Sequence, residues 1–177
     1  MPAPAFTSRR QDLSKRQLLC ALAAILLGVS SVARAEERGL RLTNETGQTL
    51  SLKELTKDKP VLVHLWASWC APCREELPEL AAFKAALPED LQKRFLVVSV
   101  DTKPLTAVQS FLSEDLDLPG LDTLQTAPAE AGRTFRIKGY PSTVFLNADG
   151  KIVRRIDGSA PWGDSAFQSD VIRHLTE

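Results

Sequence analysis

Val61-Leu62-Val63-His64-Leu65-Trp66-Ala67-Ser68-Trp69-Cys70-Ala71-Pro72-Cys73-Arg74 runs from a nearly continuous apolar stretch into a cysteine pair. The stretch from Val61 to Ala67 follows Pro60 and is long enough for a strand buried on both faces. From Cys70 the spacing of Leu77, Leu80, Ala81 and Phe83 predicts a helix towards Leu87, kinked where Pro78 falls inside it. The two cysteines thus stand where a buried strand turns into a helix.

Upstream, Leu40-Arg41-Leu42 and Thr49-Leu50-Ser51 flank Asn44-Glu45-Thr46-Gly47, the pattern of a small antiparallel hairpin. Downstream, Phe95 to Val100 predicts a second buried strand. Pro104 opens a helix with Leu105, Val108, Phe111, Leu112 and Leu116 on its apolar face. Leu121 to Gln125 suits a short strand, and Thr126 with Pro128 suits the cap and first turn of a helix ending near Phe135. Ser142 to Leu146 and Lys151 to Ile156 are joined by Asn147-Ala148-Asp149-Gly150, a hairpin turn. A last helix from Ser165 to Leu175 is expected to bury Phe167, Val171, Ile172 and Leu175. Strands alternating with helices require a central mixed sheet with helices on both faces, a single α/β domain plus the N-terminal hairpin and a central insertion.

The chain has 177 residues, 44% hydrophobic and 25% charged, with 22 basic and 22 acidic side chains. That balance conceals a split. Residues 1–35 hold Arg9, Arg10, Lys15, Arg16 and Arg34 against Asp12, leaving 17 basic and 21 acidic groups in the remainder. A body of that sign gives no electrostatic reason to bind nucleic acid, whose affinity rests on neutralising phosphates.

The run from Leu18 to Val29 is shorter than the ~20 apolar residues of a membrane-spanning helix. It follows basic residues and precedes Val32-Ala33-Arg34-Ala35, a small-x-small cleavage pattern. Residues 1–35 are therefore expected to be an export signal and residues 36–177 the mature domain; an uncleaved anchor would leave the same body outside the membrane. Ser8-Arg9-Arg10 and Ser14-Lys15-Arg16 each match the twin-arginine pattern only in part, which favours general secretion. Cys20 stands ahead of most of the apolar run, whereas a lipid-acceptor cysteine follows one, so it should leave with the signal.

Two cysteines then remain, Cys70 and Cys73. Exported proteins use disulfides as staples, but a loop this short removes little chain entropy, so reactivity is the better reason for the pair. At a helix N-terminus, unpaired N–H groups and the positive dipole end stabilise a thiolate, which makes Cys70 the expected nucleophile. Cys73, one turn deeper, is suited to resolve a mixed disulfide. Pro72 costs little in a first turn. Zinc is the competing use of such a pair, but it takes about four ligands. Only His64 and His174 accompany the cysteines in the mature chain.

With these features the sequence resembles the thioredoxin superfamily, and within it the exported TlpA-like and ResA-like proteins, over roughly residues 40–175. Trp66 to Arg74 is similar to that family's active-site segment, and Glu76-Leu77-Pro78 to the acidic residue and proline that follow it. Gly139-Tyr140-Pro141-Ser142-Thr143 resembles the loop with the superfamily's cis-proline. Asp149-Gly150-Lys151 and Gly158-Ser159-Ala160-Pro161-Trp162 resemble the ending of TlpA-like members.

The resemblance implies a thioredoxin fold with Pro141 cis. It also implies thiol–disulfide exchange needing no metal or organic cofactor, recharging by a membrane electron donor of the DsbD or CcdA type, and clients in cytochrome c or oxidase copper-site maturation. Pro141-Ser142-Thr143 in place of the Pro-Glu-Thr of the cytochrome c branch favours the TlpA-like branch.

Glu76, about one turn past Cys73, is placed to accept the Cys73 proton, though a solvated first-turn glutamate has the same spacing. Pro141 and Tyr140 are candidates for pairing with an extended substrate, and Trp69 for shielding the cysteines and contacting partners; Trp66 reads as core. His64 is a departure: thioredoxin has a buried aspartate there and TlpA-like members often asparagine. An imidazole there can relay protons or simply be hydrogen-bonded.

These residues point to a periplasmic, monomeric reductant of disulfide-bearing exported proteins. Two other uses share the motif: a DsbA-like oxidant or isomerase, and a Cu(I) carrier.

Overall fold

The computed structural model describes residues 40–57 and 59–177, and within them seven strands form one mixed sheet in the order β2-β1-β5-β4-β3-β6-β7. The strands are β1 (Arg41–Thr43), β2 (Thr49–Ser51), β3 (Val61–Trp66), β4 (Phe95–Ser99), β5 (Leu124–Gln125), β6 (Ser142–Leu146) and β7 (Ile152–Asp157). β3 pairs parallel with β4 and antiparallel with β6. The expected export segment and Cys20 lie outside the described residues. Among the described residues, no helix is long and apolar enough to cross a membrane.

Every residue of β3, β4 and β6 is buried. Successive strand side chains point to opposite faces, so the sheet centre is covered on both. The hairpin of β1 and β2 forms where expected: the Asn44 side chain accepts from the Thr46 and Gln48 amides, and Gly47 takes φ +78°, open to glycine without steric cost. Asn147 and Gly150 close the β6–β7 turn in the same manner.

Helix α1 (Leu52–Thr56) was not anticipated. Its signal was in the sequence: Ser51 and Glu54 form a reciprocal capping box, with Ser51 N–H donating to Glu54 at 2.7 Å and Glu54 N–H donating to Ser51 Oγ at 3.2 Å. Helix α2 (Ala71–Ala86) runs through Pro78 and buries Cys73, Glu76, Leu77, Leu80 and Phe83. The short α3 (Glu89–Gln92) follows Pro88 and also went unread.

Three expectations need correction. The helix opened by Pro104 is α-helical only over α4 (Leu105–Ser110) and then widens to a π-turn, Phe111–Asp115. There Leu116 N–H donates to the Phe111 carbonyl, while the Ser113 hydroxyl donates to the Gln109 and Ser110 carbonyls; side-chain back-bonding of this kind competes with the regular ladder. Helix α5 (Pro128–Phe135) is capped by Ala127, not Thr126, whose hydroxyl reaches the Glu130 carboxylate instead. On α6 (Ser165–Thr176), Ile172 is exposed while Phe167, Val171 and Leu175 are buried.

Leu62, His64 and Trp66 alternate with Val61, Val63 and Leu65, so they share one face of β3. Phe95 lies opposite Leu62, and Trp162 stacks on it with centroids 5.3 Å apart. Phe83 of α2 and Phe167 of α6 complete this aromatic cluster. It fastens α2, α6 and the loop at Trp162 over His64. Fully burying each such side chain contributes about 1.5–3 kcal/mol.

Candidate active site

The cysteine pair sits at the end of β3. Cys70 is the N-cap of α2, with extended backbone, and its Sγ accepts the Cys73 N–H at 3.3 Å. That hydrogen bond belongs to the first helical turn, whose amides have no intrahelical acceptor, so the sulfur that takes it sits in a field that favours negative charge. Pro72 occupies this turn, where its missing N–H is no loss. The two sulfurs are joined in a disulfide, with Cα atoms 5.3 Å apart. Cys73 is fully enclosed, whereas Cys70 is 5% exposed.

The loop ahead of Cys70 is held by a residue the sequence reading missed. Asp101, just past β4, accepts Ser68 N–H at 2.9 Å and Ser68 Oγ–H at 2.7 Å, and takes a third bond from Ser99 Oγ at 2.8 Å. Its carboxylate is buried and fully employed. An acidic residue ending a buried strand is the signal that was available. Trp66 belongs to the core, as expected, with Nε1 donating to Thr123 Oγ1 at 3.0 Å.

Trp69 is 63% exposed, a large cost in apolar surface for a residue beside the cysteines. Its ring meets that of Tyr140 edge-on at 5.8 Å. The Tyr140–Pro141 peptide bond is cis, in line with the resemblance. Ser142 opens β6 opposite Leu65 of β3, so the turn carrying Pro141 emerges at the same end of the sheet as Cys70. Trp69, Tyr140, Pro141 and the cysteines are thereby brought to one edge.

Glu76 is only 7% exposed, on the inner side of α2. Oε2 accepts the Ala160 N–H at 2.8 Å and the Trp162 Nε1–H at 3.2 Å. Oε1 lies 3.3 Å from His64 Nε2, out of line for a hydrogen bond, and among the described residues neither atom has another partner. Burial pushes the Glu76 carboxyl up from 4.5 to about 7, against the opposing pull of the Ala160 and Trp162 donors. Glu75 and Glu79 are exposed. Sequence spacing placed Glu76 one turn from Cys73; it did not show that a loop more than eighty residues downstream encloses the carboxylate.

His64 is completely buried, and this burial lowers it from 6.5 to about 3, so the ring is neutral near pH 7. Nδ1 and Thr143 Oγ1 are 3.1 Å apart, and the ring edge faces Trp162. His174 is half-buried and sets its ring edge-on to Phe145, with Nε2 3.4 Å from the Val61 carbonyl. Among the described residues, no group of three or more His, Cys, Asp or Glu is arranged to hold a metal.

The family model described as Redoxin matches residues 1–171. Over 120 residues the chain is 27% identical to the thiol-disulfide oxidoreductase ResA of Bacillus thuringiensis, covering 66% of this chain and 65% of that protein. It is 31% identical over 114 residues to a thioredoxin of Mycolicibacterium smegmatis, covering 64% of this chain and 79% of that one. The crystal structure of StoA from Bacillus subtilis superposes with a TM-score of 0.56 at 23% identity, covering 77% of this chain and 95% of that chain. The chain thus spans about 65% of the length of the ResA relative.

Proposed function

Because the chain belongs to the Redoxin family, of thioredoxin fold and ResA-like kind, we propose that it is an exported thiol–disulfide oxidoreductase working mainly as a reductant of partner-protein disulfides. The observation that carries the reading is the asymmetry of the pair. Cys70 caps a helix N-terminus beside an exposed tryptophan, while Cys73 is enclosed with a carboxyl of raised proton affinity one turn on.

In the reduced protein the Cys70 thiolate attacks a partner disulfide, forming the Cys70–partner bond and releasing one partner thiolate, which is protonated by solvent. Cys73 then gives its proton to Glu76, and the resulting thiolate attacks Cys70 Sγ. The mixed disulfide breaks, the second partner thiolate leaves, and the Cys70–Cys73 disulfide closes. Two electrons pass to the partner. A carboxyl poised near 7 is matched to this transfer at neutral pH. Trp69 and Tyr140 offer an amphipathic contact for the partner chain, and the backbone beside Pro141 a strand edge.

A membrane donor of the DsbD or CcdA type would return the electrons, and clients in cytochrome c or oxidase copper-site maturation fit the resemblance. The pattern of residues 1–35 supports periplasmic action, and a monomer suffices for the exchange because both cysteines belong to one chain. Trapping tests the reading. Cys73→Ser should hold client proteins as mixed disulfides on Cys70, released by reductant, while Cys70→Ser should hold none. Equal trapping by both variants would refute the assignment of roles.

A further inference from the structure

Glu76 has one oxygen that is spoken for and one that is not. Oε2 already takes two donors, from Ala160 and Trp162, so a proton on this carboxyl sits on Oε1. Oε1 is buried and lies 3.3 Å from His64 Nε2, an atom that, like it, has no hydrogen-bond partner among the described residues. A protonated carboxyl needs an acceptor for its hydrogen, and leaving it without one costs about 1–3 kcal/mol.

On the far side of the ring, Nδ1 faces Thr143 Oγ1 at 3.1 Å. With the hydrogen of the neutral imidazole on Nδ1, that hydroxyl is its acceptor and Nε2 presents a lone pair to Oε1. The arrangement is lopsided. A carboxylate meets a lone pair across 3.3 Å and gains nothing; a protonated carboxyl needs only a small rotation to donate to it.

We infer that His64 is a positioning residue for proton transfer, its Nε2 accepting the hydrogen that Glu76 carries on Oε1 and so holding up the proton affinity with which Glu76 draws the proton from Cys73. The inference rests on the proposed role of Glu76 and adds the residue that tunes it. The polar groups facing the pair are Thr143 from β6, and Ala160 and Trp162 from the loop before α6; Cys73 precedes Glu76 by about one turn on α2. Glu79, the next carboxylate along α2, lies at the surface against Gly163. Charge repulsion is not what raises Glu76; burial is, and His64 supplies what burial alone does not, a place for the proton.

The test is a pH titration of the Glu76 carboxyl in the oxidised full chain by carbon NMR, in the wild type and in His64→Phe, which keeps the ring and its burial but removes the acceptor. The midpoint should fall by one unit or more in His64→Phe, a tenfold or greater loss of proton affinity. An unchanged midpoint in a folded variant overturns the inference.

A second measurement needs no variant. Nitrogen NMR of the wild-type ring should show Nε2 without a hydrogen, its resonance shifting with the Glu76 midpoint; an Nε2 that carries hydrogen throughout overturns the inference equally. Glu76→Gln separates the two readings. If it leaves the pH profile of thiol exchange unchanged, the role of Glu76 fails whatever the titration shows.

Discussion

The indole N–H of Trp162 donates to Glu76 Oε2 at 3.2 Å, joining the loop before α6 to the inner face of the helix that carries both cysteines. This donor stabilises the ionised carboxylate and opposes the upward pull of burial. Trp162→Phe keeps the aromatic stacking and removes the donor. Its Glu76 midpoint should rise from about 7 by roughly one unit, the value of a hydrogen bond to a charged group. Release of a trapped partner at pH 7 should slow by up to about tenfold, and raising the pH should restore it.

The pH dependence of stability follows from the two buried groups with opposite signs. Glu76 titrates at 4.5 unfolded and about 7 folded. Between those values the folded state holds the extra proton, so stability falls as pH rises. His64 titrates at 6.5 unfolded and about 3 folded, so its contribution is complete above 6.5 and is lost as pH falls. From 4.5 to 6.5 the two slopes oppose and the oxidised protein should show a nearly flat stability. Glu76→Gln should expose the histidine slope and His64→Phe the glutamate slope, each about 1.4 kcal/mol per pH unit over part of that range. Urea unfolding at a series of pH values measures both; parallel curves for the three proteins would contradict the linkage.

Asp101 has three donors to satisfy, two of them from the residue before Trp69. Asp101→Ala strips the acceptor from a buried amide and two hydroxyls. A loss of stability on the order of 2–4 kcal/mol is expected. The reactivity of Cys70 with an alkylating reagent in the reduced protein should also change. Unfolding curves and alkylation rates check the two effects separately.

Trp69 is mostly in solvent, so Trp69→Ala should leave the melting temperature within a few degrees of wild type. Its contact with Tyr140 and its apolar surface are available to a partner chain. Client reduction should lose about three- to tenfold in kcat/KM, while reduction of a small disulfide should barely change. An equal loss on both substrates would assign the tryptophan to the cysteines rather than to recognition.

Local signals carried most of what was legible in the sequence. The strand, the cysteine pair and the helix start lie within fourteen residues, and hairpins are announced by Asn and Gly at their turns. Periodicity placed β3, β4, β6 and α2 within a residue or two. The π-turn at Phe111 was not legible, because its apolar spacing is the same as that of a regular helix.

The partners of Glu76 were not legible either. Ala160 and Trp162 reach it across the fold, and no local pattern encodes which loop will cover a helix face. His64 stood out only as an unusual residue type in a strand. Its relation to Glu76 needed the packing of α2 on β3.

The direction of electron flow is the central claim, and the reduction potential of the Cys70–Cys73 couple tests it most directly. Equilibration against defined thiol buffers at pH 7 should place it near the about −270 mV of thioredoxin. A value near the about −120 mV of DsbA would contradict the account and make the same dithiol an oxidant of newly exported proteins.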